Sequence, residues 1–594
     1  MTFTRRATRA LLRSAMLLLP ALVLSSCWWF PAHLEPDVYD GTNNVFFQDL
    51  DDIDPDRTLV YTVDVGSTPR DLYFVFTNPT FSVLDAPTVE SRSVVQRATT
   101  DDTPRSLRAP RSLGPNDVIL RDAPHLKDWE PPELRPAGSR SLTPAEPNFA
   151  LVPPPSMYAI EYDEYNGSIA GTHEFYVDEC DSCKVNAVLA FRRTVGTKTL
   201  EIWVQETEFD ENGLEGGVKP EWTEALADAF LLDGTDNDIY DWVSTVYGEE
   251  WSDLTGTYSN IIGDDDTITI LLWDIDNFGS SDDDPGGVVG FFWSKDNFIR
   301  EDGTDSAHSN ERVMFYLDSE SFETVLSGEG TWSIDDYWPS EIVSTLGHEL
   351  QHMILFHERN VLRGVATPTW MNELMSLVAE DLIEEKRQET GPRGVDPGDY
   401  PTGGAGPPNN PRGRLPDYNP YSDRNITSFA GQSAPIEQIL ASYGSSYAFG
   451  AYLVRNYGGA ELMRHMMDVG SSDSNTVLAD PIEQTTGMPG MTLEELLWRW
   501  GAAELLSDST TPVVPFRLNT GGWMTSSYGG IDYKLGSINH FLYSEPLYVF
   551  AGDLSNVSLQ PSSKLLYRFA TDVTGTVELE LQVSAGMDFA VVLK

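Results

Sequence analysis

Basic residues are scarce in this sequence: 39 Lys and Arg face 92 Asp and Glu, which gives a net charge of −53. A surface of this charge repels the phosphates of nucleic acids, so the composition argues against a DNA- or RNA-binding role. Such acidity is typical of proteins adapted to saline or alkaline surroundings. Calcium binding and selection of basic substrates are the alternative interpretations.

Long apolar runs are also rare, and the clearest one covers residues 15–24. This run is too short to span a bilayer comfortably. It follows four arginines and precedes a Leu-Ser-Ser-Cys sequence that ends at Cys27 and resembles a bacterial lipobox. We therefore predict a lipoprotein signal peptide over residues 1–26 and acylation of Cys27. The lipid would anchor the chain in the cell envelope, at an outer membrane or cell surface.

Cysteine is nearly absent, with three residues in 594. If Cys27 carries lipid, only Cys180 and Cys183 remain, which excludes a four-cysteine zinc site. Their spacing is compatible with a redox site, half of a zinc knuckle or a short disulfide. Because no second pair and no thioredoxin-like pattern accompanies them, we predict a structural disulfide formed in an oxidising compartment.

The chain divides into segments of different composition. Residues 27–90 predict a tether and a small β module, and 91–155 form a linker rich in Pro and Arg. Residues 156–505 combine strand-like and helical patterns, and 506–594 predict a second β module. The predicted strands cover residues 58–65, 71–77, 186–194, 200–205, 267–273, 288–293 and 312–317. The predicted helices cover residues 221–231, 237–251, 340–356, 369–387 and 442–457.

The most informative motif is His348-Glu349-Leu-Gln-His352, which lies within a helical pattern of apolar residues. Residues four apart share one face of a helix, so His348 and His352 can reach one ion, and imidazole nitrogens suit zinc. Glu349 projects beside the metal, where it can take a proton from an attacking water. Two structural histidines are the alternative, but burying uncompensated His and Glu on an apolar helix is costly.

A third ligand is expected downstream. Position 358, where an extended metzincin motif needs His, holds Glu358. Asn372-Glu373-x-x-Ser376 instead looks like the arrangement of gluzincins, in which a Glu from a neighbouring antiparallel helix completes a His/His/Glu site. The resemblance makes Glu373 the third ligand of one zinc ion per chain. Three protein ligands leave a fourth position open, as a catalytic site requires.

The stretch from Tyr443 to Gly459 is similar to a helix of M1-type aminopeptidases and other gluzincins. In that helix a Tyr near the start is followed nine residues later by Tyr-Leu, and Gly-Gly ends it. Tyr443 occupies the place of the tyrosine that stabilises the oxyanion. Tyr447 is a weaker candidate, and both residues are also compatible with simple core packing.

The sequences beginning at His348 and Trp370 together resemble the hyicolysin family of bacterial zinc peptidases, over roughly residues 180–465. The resemblance implies an α+β, zincin-type fold with a sheet, an active-site helix and a helical lower subdomain, flanked by the small all-β modules. It also implies an exported zinc endopeptidase that acts on protein substrates. The alternative is a surface lipoprotein that binds partners through an inactive peptidase scaffold. The oxygen-rich residues 274–284 make calcium a second candidate cofactor, although the EF-hand pattern fails at Phe278 and a solvated acidic loop is the favoured alternative.

Overall fold

A computed structural model of the chain describes residues 32–33, 45–48, 58–91, 96–97, 131–137, 171–210, 217–234, 238–263, 266–275, 288–324, 331–387, 414–431, 434–543 and 546–594. The strands in these ranges are β1 Ala32–His33, β2 Val45–Gln48, β3 Leu59–Asp64, β4 Arg70–Asn78, β5 Leu84–Asp85, β6 Thr88–Ser91, β7 Gln96–Arg97, β8 Thr172–Tyr176, β9 Lys184–Val195, β10 Lys198–Gln205, β11 Thr267–Trp273, β12 Gly290–Phe292, β13 Val313–Asp318, β14 Met524–Tyr528, β15 Ile531–Leu535, β16 Ser558–Leu559, β17 Ser563–Val573, β18 Thr576–Gln582 and β19 Asp588–Leu593.

The α-helices in the same ranges are α1 Pro220–Phe230, α2 Ile239–Tyr247, α3 Ser319–Glu323, α4 Tyr337–Leu355, α5 Thr369–Ile383, α6 Arg414–Tyr418, α7 Ile436–Asn456, α8 Ala460–Asp468, α9 Ser474–Thr486 and α10 Leu493–Leu505. A π-helical turn, Phe356–Val361, continues α4 directly. This mixture of sheets and helices confirms the α+β class predicted from the sequence.

The central sheet has six strands in the order β12-β13-β11-β10-β9-β8. β10, β11 and β13 run parallel, whereas β12 pairs antiparallel with β13 and forms an edge. β11 is buried along almost its whole length, as expected of a strand that is covered on both faces. One face joins the main core together with α1, α2 and α4, and the other face forms a smaller aromatic core around Trp203 and Trp273.

Three helices below this sheet pack closely because small residues lie at their contacts. A Cβ atom on Gly347 of α4 would lie 2.7 Å from Ile383 Cδ1 of α5. A Cβ atom on Gly450 of α7 would lie 2.7 Å from Val378 Cγ2 of α5. α5 is therefore held between α4 and α7, at separations that larger side chains would not allow.

Strands from the two ends of the chain form one β-sandwich. Its sheets have the orders β1-β3-β18-β6 and β2-β19-β4-β17-β7, and between them lies a separate apolar core. The sequence predicts two modules, one at each end, but β3 pairs with β18, and β4 lies between β17 and β19. Alternation of apolar and polar residues predicts that a segment is a strand. It does not predict which strand the segment pairs with, because all strands share the same backbone hydrogen-bonding groups.

Within the described residues, no helix is long and apolar enough to cross a membrane. Cys27 and residues 276–287, which include most of the calcium candidate, lie outside those residues. Cys180 and Cys183 form a disulfide with a Cα–Cα distance of 5.0 Å, in the turn between β8 and β9.

Candidate metal centre

The two histidines of the central motif project from α4 toward the same point. Their Nε2 atoms lie 3.0 Å apart, and both residues are buried. Because four residues make slightly more than one helical turn, the rings can stand side by side on one face. The spacing in the sequence thus places two imidazole nitrogens at one position in space.

Glu373 reaches the same point from α5. Its carboxylate oxygens lie 3.5 Å from His348 Nε2 and 3.5 Å from His352 Nε2. One ligand atom from each of the three residues lies within 4.8 Å of the other two, and all three residues are buried. The candidate ligands are therefore two nitrogens and one carboxylate, a set that suits zinc.

A second layer of residues on α5 holds both rings. Glu380 Oε1 accepts a hydrogen bond from His348 Nδ1 at 2.6 Å, and its Oε2 accepts one from Ser344 Oγ at 3.1 Å. Asn372 Oδ1 accepts from His352 Nδ1 at 2.9 Å. When Nδ1 of each ring donates, the Nε2 lone pairs face the common point, which is the tautomer that a metal ligand needs. No role for Glu380 or Asn372 was predicted from the sequence.

This arrangement brings acceptors together and therefore favours a cation. Two Nε2 lone pairs and a buried carboxylate repel one another unless a positive charge lies between them. The same preference for positive charge appears in the pKa of His348. Burial opposes protonation of this ring, but hydrogen bonds to Glu373 and Glu380 outweigh the burial and raise the pKa to about 10. The residues present thus fit a divalent cation, in both ligand type and charge.

Glu349 lies beside the three ligands and under the edge of the sheet. The backbone N–H of Phe292 in β12 donates a hydrogen bond to its carboxylate. Burial raises the pKa of Glu349 to about 7, against the opposing charge of His348. A carboxylate with a pKa near neutrality can both accept and return a proton.

Tyr443 lies near the carboxylates of the candidate metal centre, whereas Tyr447 lies among other charged groups. Burial raises the Tyr443 pKa well above its usual value, and the charges of Glu373 and Glu349 add to the effect. The Arg414 guanidinium opposes that shift and lies 4.8 Å from the centre of the Tyr443 ring. Tyr447, one turn further along α7, is buried beside a different group of charges that includes Asp381 and Arg455.

The model of the peptidase M30 family matches residues 181–593, more than half of the chain. The chain belongs to the peptidase M30 family. This membership confirms the family that the His348 and Trp370 motifs predicted, and it places the protein among the peptide-bond hydrolases. No curated protein matches the chain.

The matched region of the M30 family extends beyond the roughly 180–465 of the predicted resemblance. It includes all the candidate site residues between His348 and Tyr443, and also the C-terminal strands of the β-sandwich. The sandwich strands β17 to β19 therefore belong to the family region, whereas β1 to β7 precede it.

Proposed function

We propose that this M30 peptidase is an exported, zinc-dependent endopeptidase that hydrolyses protein substrates. One observation carries the proposal: His348, His352 and Glu373 are buried, and their ligand atoms lie close together, with Glu349 beside them. Three protein ligands with a general base alongside them are typical of catalytic zinc and not of structural zinc. We also propose a zincin-type arrangement, in which β12 is the edge strand above the active-site helix α4.

His348, His352 and Glu373 would hold the zinc ion, which would supply the Lewis acidity that peptide hydrolysis requires. Glu349 accepts the proton of the attacking water and later delivers it to the leaving amine. Its raised pKa suits both steps, because a group that titrates near neutrality exchanges protons readily in either direction. The hydrogen bond from Phe292 keeps the carboxylate under the edge strand.

Tyr443 would donate its phenolic hydrogen to the oxyanion that develops on the substrate. The hydroxyl remains protonated, since burial and the nearby carboxylates hold its pKa far above neutrality. The ring is fixed by Arg414 on one side and by Phe429, whose ring centroid lies 4.9 Å away in an edge contact. A donor held in place before reaction stabilises charge without a reorganisation cost.

The lipobox-like sequence at Cys27 supports the proposals of export and of a lipid anchor in the cell envelope. These proposals rest on the sequence alone, because Cys27 lies outside the described residues.

The test is casein cleavage by the purified chain beside its Glu349→Gln variant. We expect the variant to lose at least about 10²-fold in kcat while keeping its zinc, because only the proton acceptor is removed. Treatment with 1,10-phenanthroline should abolish cleavage by the parent protein, and added zinc should restore it. Cleavage that survives Glu349→Gln would contradict the proposal. Absence of cleavage in a zinc-loaded parent would favour a binding protein on a peptidase scaffold.

A further inference from the structure

Part of the predicted linker is docked on the peptidase region. Residues 133–137 lie along the segment 257–260, and Pro136 forms an antiparallel β-bridge with Tyr258. The docked segment lies outside the region that the M30 family model matches, whereas the surface on which it docks lies inside that region. A stretch interpreted as a connection thus behaves here as a bound peptide.

Main-chain hydrogen bonds join the two segments on both sides of this bridge. The N–H of Ser259 donates to the carbonyl oxygen of Arg135 at 2.8 Å. The N–H of Ala137 donates to the carbonyl oxygen of Thr257 at 2.6 Å. Addition of an extended peptide to an exposed backbone segment is a common mode of peptide recognition, because it uses groups that every peptide carries.

Asn260 clamps the docked backbone. Its side-chain Oδ1 accepts from the N–H of Arg135 at 2.9 Å, and its Nδ2 donates to the carbonyl oxygen of Glu133 at 3.0 Å. Asn260 is only 7% exposed, so these amide atoms have little access to water. A buried amide that loses its partners is costly, and the position of Asn260 therefore suits an extended peptide in this place.

Two side chains of the docked segment are recognised as well. Leu134 packs against the main apolar core, and Arg135 forms an ion pair with Glu301 at 2.7 Å. Both members of the ion pair are about half exposed, at 47% and 50%, so the pair contributes more to selectivity than to affinity. The surface thus prefers an apolar residue followed by a basic one, and the excess of negative charge on the chain favours the same choice.

We propose that residues 257–260 and Glu301 form a peptide-recognition site, the linker-docking groove, whose resident ligand is the segment 131–137. The groove takes an extended peptide in which an apolar residue precedes a basic one. It fixes the middle of the linker to the peptidase region, so that this segment stays bound if the chain is cut on either side of it. The proposal does not depend on the catalytic assignment.

The test uses a fluorescent peptide with the sequence of residues 129–139 and fluorescence anisotropy with the full-length protein. Leu134→Asp combined with Arg135→Glu should vacate the groove without altering its walls. We expect the peptide to bind this double variant at least tenfold more tightly than the wild type, whose groove is filled. Adding Asn260→Ala should weaken that binding at least tenfold. A peptide that carries the same two replacements is the control and should not bind.

Equal binding to the wild type and the double variant, or no binding to either, would overturn the proposal. Amide hydrogen exchange gives a second test that needs no vacated groove. In Asn260→Ala, the amides of Arg135 and Ala137 should exchange at least tenfold faster than in the wild type, with β10 and β11 unchanged. Unchanged exchange at Arg135 would equally overturn the proposal.

Discussion

Each histidine of the candidate metal centre is oriented by a different residue of α5. Glu380 accepts from His348 at 2.6 Å, and Asn372 accepts from His352 at 2.9 Å. Glu380 is 3% exposed, so this interaction is poorly screened by water. Such partners fix the tautomer and the direction of the ring, and they increase the affinity of the ligand for its metal.

Glu380→Gln should weaken zinc binding by about 10- to 100-fold, because the amide no longer offers a charged acceptor to His348. Competition with a chromophoric chelator measures the affinity, and this readout does not depend on turnover. Glu385→Gln is the matched control, because Glu385 lies five residues further on and is exposed. An unchanged zinc affinity in Glu380→Gln would show that Glu380 does not support the metal site.

Tyr443→Phe should lower kcat by about 10²- to 10³-fold, with little change in KM, because one donor to the oxyanion is lost. Tyr447→Phe removes the hydroxyl of an equally buried tyrosine on the same helix, and we expect kcat within about twofold of the wild type. Steady-state cleavage of a fluorogenic peptide measures both variants. Equal losses in the two variants would assign Tyr443 to core packing.

The sequence predicted His348, His352 and Glu373 because an i, i+4 pair and a second helical motif have fixed spacings. It could not predict Glu380, which lies seven residues beyond Glu373, about two turns along the same helix. Whether that position meets His348 depends on how α4 and α5 are rotated about each other. Spacing within one helix does not contain that information.

At the scale of elements, the short helix α6 is held against α7 next to Tyr443. A Cβ atom on Gly444 would lie 2.6 Å from the carbonyl oxygen of Arg414 and 2.8 Å from the backbone nitrogen of Tyr418. The contact between α6 and α7 therefore requires glycine at position 444. It also positions Arg414, the first residue of α6, over the Tyr443 ring.

Gly444→Ala should displace α6 from α7 and lower the free energy of unfolding by about 1–3 kcal/mol, since backbone atoms cannot move aside as a flexible side chain can. Urea unfolding followed by tryptophan fluorescence measures the change. Gly431→Ala is the control, because a Cβ atom there meets nothing within 4 Å. If Gly444→Ala is as stable as Gly431→Ala, the contact between α6 and α7 is looser than described.

The three long helices that carry the candidate site, α4, α5 and α7, could be predicted, but not all of their ends. The helix predicted over residues 340–356 begins at Tyr337, and the one predicted over 442–457 begins at Ile436. The apolar pattern identifies the buried middle of each helix, whereas the first turns, Tyr-Trp-Pro-Ser and Ile-Glu-Gln-Ile, mix apolar and polar residues without a clear helical period.

At the scale of the whole molecule, a buried charge network joins the β-sandwich to the helices. Lys564 Nζ of β17 donates to Tyr418 Oη at 2.6 Å and lies 3.2 Å from Glu504 Oε2 of α10. Burial lowers the pKa of Lys564 and raises that of Glu504. The pair is fully enclosed, so either charge alone would be strongly disfavoured.

Lys564→Met should destabilise the protein by about 3–5 kcal/mol, because it leaves Glu504 buried without its partner. Adding Glu504→Leu should recover much of this loss, because neither charge then remains. Chemical unfolding of the two single variants and the double variant forms a double-mutant cycle. Additive losses in that cycle would show that the two side chains do not interact across the interface.

The sandwich itself is the part of the fold that the sequence could least predict. β3 and β18 are separated by most of the chain, and their alternating patterns are compatible with many partners. In the six-stranded sheet, β9 to β13 could be predicted as strands, because each contains a run of apolar residues. Its order, however, also depends on contacts between strands that are distant in the sequence.

The metal content of the purified chain, determined by plasma mass spectrometry, shows directly whether the protein holds zinc at the three ligands. We expect about one zinc per wild-type chain and close to none in Glu373→Ala, with circular dichroism showing both proteins folded. Zinc retained in full by Glu373→Ala, or no zinc in a folded wild-type protein prepared with zinc, would contradict the assignment of His348, His352 and Glu373 as its ligands.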